Sequence, residues 1–187
     1  MKRLISIIIL SLLAQKSVAT TGFAEAMELA EQGDAWYQAE IALMYHEGKG
    51  VPRNYAKAVV WYRKAAEQGL SRAQTNLGVM YSEGQGVPQD HTVAVDWFRK
   101  AAEQGSAEAQ HNLGLMYGRG QGVAQDWVEA YIWDSLAVTS GHKNAIVNRD
   151  LFASKLSSDE LKSAQRRETF LFLQIQNRQN RKLNSDF

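Results

Sequence analysis

Few residues in this chain have the type and spacing that chemistry would need. Ser140-Gly-His-Lys143 satisfies Ser-x-x-Lys, which in penicillin-recognising enzymes supplies a nucleophile and a nearby base. Here it straddles a glycine helix break, and neither a Ser-Asp-Asn nor a Lys-Thr-Gly partner motif occurs. The four histidines, His46, His91, His111 and His142, form no His-Glu-x-x-His pair and no short His/Asp cluster of ligand type, so no metal site is expected. With no cysteine, thiolate zinc chemistry, disulfides and a lipid-anchored start are all removed. The Gly84, Gly86 and Gly120, Gly122 turns lack the preceding strand and third glycine of a dinucleotide loop. The reading is therefore of no catalytic residue and no cofactor.

The elements that would position any site follow from a 36-residue pattern. Trp61, Trp97 and Trp133 fall at one phase of it, as do Tyr45, Tyr81 and Tyr117, and as do Gly33, Gly69, Gly105 and Gly141. Within the second copy Ala73, Leu77, Met80 and Tyr81 keep the three-and-four spacing of one buried helical stripe, and Ala94, Trp97, Phe98 and Ala101 keep another. Asn54, Asp90 and Asp126 stand directly before the second helices as N-caps, and Glu129 adds an acidic capping box to Asp126. Gly69, Gly105 and Gly141 follow the second helices, where a left-handed residue is needed. Ala42, Gly78 and Gly114 are small enough for close helix crossing beneath an aromatic.

The run Ala-x-Ala-Gln-x-x-Leu-Gly-x-Met-Tyr, then Gly-x-Gly-Val, then Ala-x-x-Trp and Ala-Ala-Glu-Gln-Gly resembles the Sel1-like repeat family, a cousin of the tetratricopeptide repeats. The match covers residues 33–140, with the third copy drifting at Ala124, Asp134 and Thr139. The resemblance implies an all-α fold, an α/α solenoid that winds antiparallel helix pairs into a right-handed superhelix. Repeats are expected at 33–68, 69–104 and 105–140, after a capping helix over 20–32. A degenerate repeat and closing helix follow over 141–180, with Ser157-Ser-Asp-Glu160 as a fresh cap and Leu161, Ala164, Leu171 and Ile175 packing back. Residues 181–187 read as a flexible tail.

The ends and the charge bound where the protein works. Lys2 and Arg3, an apolar stretch from Leu4 to Ala14 and Ser17-Val18-Ala19 make residues 1–19 a signal peptide, too short for the ~20 residues of a spanning helix. A periplasmic or secreted chain without a transmembrane span is expected. Removing Lys2, Arg3 and Lys16 from 21 basic residues leaves 18 against 20 acidic, a balance that points to no nucleic acid. Lys162, Arg166, Arg167 and Arg178 near the end would give at most a weak contact with an anionic surface.

A paired-helix solenoid recognises partners through first-helix residues that vary between copies. These are Trp36, Arg72, Asn76, Glu108, His111 and Asn112, with Tyr37 marking one end of the groove. Asn76 and Asn112 are equivalent, as suits main-chain recognition of an extended peptide. The expected function is a protein-binding scaffold of the cell envelope, acting as regulator or assembly adaptor. The resemblance also implies an immunity protein against an envelope-targeting phospholipase. An enzyme acting on peptidoglycan or β-lactams is a third reading, and a carbohydrate-binding module stacking Trp36 and Trp127 on sugars is a fourth.

Overall fold

In the computed structural model the described residues are 22–185, so the signal-peptide reading of residues 1–19 falls outside them. Among the described residues there are nine helices and no strand: α1 (Phe23–Glu31), α2 (Ala35–Glu47), α3 (Tyr55–Glu67), α4 (Ser71–Glu83), α5 (His91–Ala102), α6 (Ala107–Arg119), α7 (Trp127–Thr139), α8 (Ala145–Ala153) and α9 (Ser158–Ser185). Each of α2 to α7 packs on both its neighbours in sequence, and α8 and α9 both pack on α7, which makes an α/α solenoid.

The boundaries follow from local chemistry. Asn54, Asp90 and Asp126 accept from backbone N–H groups of the first turns of α3, α5 and α7. Glu129 does not reach back to close a capping box; it accepts from the Trp133 indole at 3.1 Å and pairs with Arg167 of α9. Gly86 has φ 74°, and a Cβ there would lie 2.4 Å from the Tyr55 carbonyl carbon. That close approach seats the turn of the second repeat on the start of α3, and Gly122 seats the next turn on His91 in the same way.

Two polar ladders join successive helices, an amide ladder in the core and a guanidinium–phenol ladder nearer the surface. Gln38, Gln74 and Gln110 are buried, and each donates to a carbonyl at the end of the preceding helix: Ala30, Ala66 and Ala102, at 3.1, 3.0 and 3.2 Å. Gln68 then donates to Gln38 Oε1 at 2.8 Å and Gln104 to Gln74 Oε1 at 2.7 Å. Arg63 bonds the Tyr81 hydroxyl, and Arg99 the Tyr117 hydroxyl at 2.9 Å. The contacts of Gln38 and Gln74 satisfy groups that burial would otherwise leave unpaired, so these repeats stack in one register.

In α3 and α5 the largest fully buried side chain is the one after the tryptophan. Tyr62 and Phe98 are fully buried, whereas Trp61 and Trp97 are half-buried beneath Lys64 and Lys100 at 4.0 and 4.1 Å. A Cβ on Gly78 would meet the Phe98 ring at 2.6 Å, which explains the small residue there. Gly114 differs, because it lies beneath the Asp134 carboxylate rather than an aromatic.

At the C-terminus Ser157 and Glu160 form a reciprocal capping box, with Ser157 N donating to Glu160 Oε2 at 2.8 Å and Glu160 N to Ser157 Oγ at 3.3 Å. Ala164 and Ile175 are buried, with Leu161 and Leu171 packed beside them. The helix continues to Ser185, past the boundary placed at residue 180. Arg178 pairs with Glu103 at 3.1 Å, and Gln179 donates to the Gln104 carbonyl at 2.8 Å.

Candidate functional site

The first-helix face carries the candidate site. Arg72 on α4 pairs with Glu40 on α2, joining two adjacent first helices. One repeat further along, the equivalent residues are Glu108 and Asn76, and neither makes a side-chain hydrogen bond or ion pair among the described residues. Asn112 has none either. Asn76 and Asn112 are half-buried and Glu108 is exposed, so the face presents two amides and a carboxylate without intrachain partners. Leu43, Val79 and Leu115 occupy one equivalent, half-buried position beside them.

Trp36 is exposed and stands edge-on to Tyr37, with ring centroids 5.0 Å apart. Tyr37 itself packs into the small cluster that seals α1 onto α2. It marks the N-terminal end of the face while serving the cap.

His111 lies elsewhere in character. Its Nδ1 is 2.7 Å from Asp134 Oδ1, and its ring stacks on His142 at 4.5 Å. Asp134 is fully buried, at the position that Tyr62 and Phe98 fill in the other repeats. Burial pushes the Asp134 carboxyl above its ordinary pKa, opposed by the His111 hydrogen bond and by the charges of His111 and His142. Asp134 Oδ2 and His142 Nδ1 are buried without partners. The Asp134 departure from the repeat was visible in the sequence; its pairing with His111 was not, because they lie on facing helices 23 residues apart. No group of three or more His, Asp or Glu among the described residues is arranged to hold a metal.

The side chains of Ser140 and Lys143 are exposed and have no hydrogen-bond or ion-pair partner among the described residues, so no described side chain is placed to activate either. Of the basic residues near the end, Arg167 and Arg178 are engaged by Glu129 and Glu103, and Lys162 lies 3.8 Å from Asp159. Arg166 alone of the four has no acidic partner among the described residues. No described helix is long and apolar enough to cross a membrane.

Comparison with known proteins places this geometry. The Sel1 repeat model matches residues 37–70, 71–106 and 107–142. A protective antigen present in uropathogenic Escherichia coli strains, displaying an SLR fold, is similar at 34% identity over 87% of this chain, with a TM-score of 0.78. A Sel1 repeat protein from Oxalobacter formigenes is similar at 39% identity over 65% of the chain, with a TM-score of 0.62. The matched regions cover 35% and 50% of those two chains. No functionally curated protein matches.

Proposed function

The chain belongs to the Sel1 repeat family, and from that premise we propose that it is a non-catalytic scaffold that binds an extended segment of a protein partner along its first-helix groove. The observation that carries this reading is the pair of unspent amides, Asn76 and Asn112, set one repeat apart beside an apolar row. An amide offers one donor group and one acceptor, the pair that a peptide main chain presents in reverse. Arg72 and Glu40 fix the N-terminal end of the groove by their ion pair, and Trp36 adds an exposed aromatic there. The charged and amide side chains set the orientation of the segment, and the apolar row supplies burial.

Such a scaffold regulates or assembles its partner in the cell envelope, the location that the Lys2-Arg3 start and the following apolar stretch favour. Affinity capture from envelope extract with mass spectrometry tests the reading. A partner retained by the wild type and lost from Asn76→Ala/Asn112→Ala supports it. Undiminished capture by the double variant, or retention of sugar or lipid with no protein, would overturn it.

A further inference from the structure

His46, Ser82 and Gly118 are equivalent positions on α2, α4 and α6, and the space beside them is filled differently each time. His46 plugs the first: its Nε2 donates to Gln85 Oε1 at 3.0 Å, and its ring lies 5.3 Å from the Tyr55 ring and 6.5 Å from the Tyr62 ring. Phe152 of α8 plugs the third, with its ring 2.6 Å from where a Cβ on Gly118 would be, and 5.8 Å from the Trp127 ring. Ser82 supplies no plug. Its hydroxyl turns back to the Val79 carbonyl at 2.9 Å, and a cavity of about 300 Å³ opens beside it.

The walls of that cavity include His91, Phe98 and Gln121, the equivalents of the three residues that hold His46. Gln121 has no side-chain hydrogen bond among the described residues, and His91 Nδ1 is buried without a partner. Asn112 and Arg119 also line the cavity, which connects it to the groove-facing residues. We propose that the cavity is a pocket for one side chain of the partner peptide, the imidazole of a histidine, seated where His46 sits one repeat earlier. An all-carbon ring would fill the apolar floor at Phe98 but leave the polar wall desolvated and unpaired; an imidazole N–H donates to the Gln121 amide oxygen. The pocket rests on the groove reading only for the source of the ring.

The test is an NMR titration of the tag-free full chain with free imidazole, at fixed alkaline pH where imidazole is neutral, with toluene in parallel. Saturable one-site shifts centred on Ser82 and Gln121 are expected from imidazole. Ser82→His carries its own plug, so it should abolish the shifts and melt at or above the wild-type temperature. His46→Ser should open a second site, and imidazole should restore the melting temperature that it loses. No saturable shift, shifts unchanged in Ser82→His, or binding of toluene without imidazole would overturn the proposal. Because the probe is free imidazole, these outcomes are independent of whether a partner protein is captured.

Discussion

Within the first repeat Gln68 reaches Gln38, and Arg63 reaches across to Tyr81 of the second; the same contacts recur one repeat later from Gln104 and Arg99. At the third repeat Ser140 and Ser135 stand in those places. Gln110 Oε1 and Ser135 Oγ are left buried without partners, and the core aromatic has become Asp134, held by His111. The first region repeats because neutral amides and a guanidinium–phenol contact can be copied in register at little desolvation cost. The third region stops copying, because a buried carboxylate needs a dedicated histidine and cannot be stacked again. There α8 and α9 take over from the repeat.

The strongest way to break this contrast is at the helix crossings. Gly78→Leu drives a side chain into the Phe98 ring and should cost about 3 kcal/mol by overpacking. Gly114→Ala, which meets Asp134 Oδ1 at 3.0 Å, should cost less than Gly78→Ala. Chemical denaturation of the four proteins reads both, and native stability in Gly78→Leu would remove the packing argument. Transplanting the second repeat into the third is the next test. His111→Thr/Asp134→Phe replaces a buried polar pair with the Thr75 and Phe98 arrangement and should stabilise by about 2 kcal/mol. A lower urea midpoint would show that the third core is shaped around the carboxylate.

The ladder itself is worth less. Ser140→Gln gives Gln110 Oε1 the partner that Gln74 already has and should add about 1 kcal/mol; Gln104→Ala should remove a similar amount. Equal melting temperatures across these variants would mean that the ladder sets register without adding stability. The smallest effect is the pH dependence of Asp134. Its folded pKa is raised, so the folded chain keeps a proton that the unfolded chain releases. Stability therefore falls as pH rises from the ordinary carboxylate value through the raised one, and the loss is complete above it. Asp134→Asn should flatten that decline relative to wild type in urea melts run from acid to neutral pH.

The helices, their caps and their order were legible because each rests on local signals: Asn54 and Asp90 before a periodic apolar run, Gly69 and Gly105 after it. Phase alone did not rank the core, since Trp61 and Trp97 are each followed by another aromatic, Tyr62 and Phe98, and only packing shows which is fully buried. That Asn76 and Asn112 stay off the buried helical stripe was legible from the three-and-four spacing of the apolar residues around them. The His111–Asp134 pair was not, because a carboxylate at an aromatic position identifies its partner only when two helices face one another. The Ser82 cavity was equally hidden, because a small residue in a helix reads as surface until its repeat neighbours show what it replaces.

The hold that Arg178 and Gln179 keep on Glu103 and Gln104 spans 75 residues of chain, whereas the repeats otherwise touch only their neighbours. A linear stack can fray from its end one unit at a time. Here the terminal helix is clasped to the middle of the stack, so the third repeat cannot open without releasing the second. Amide hydrogen exchange should report one cooperative unit from α5 to α9.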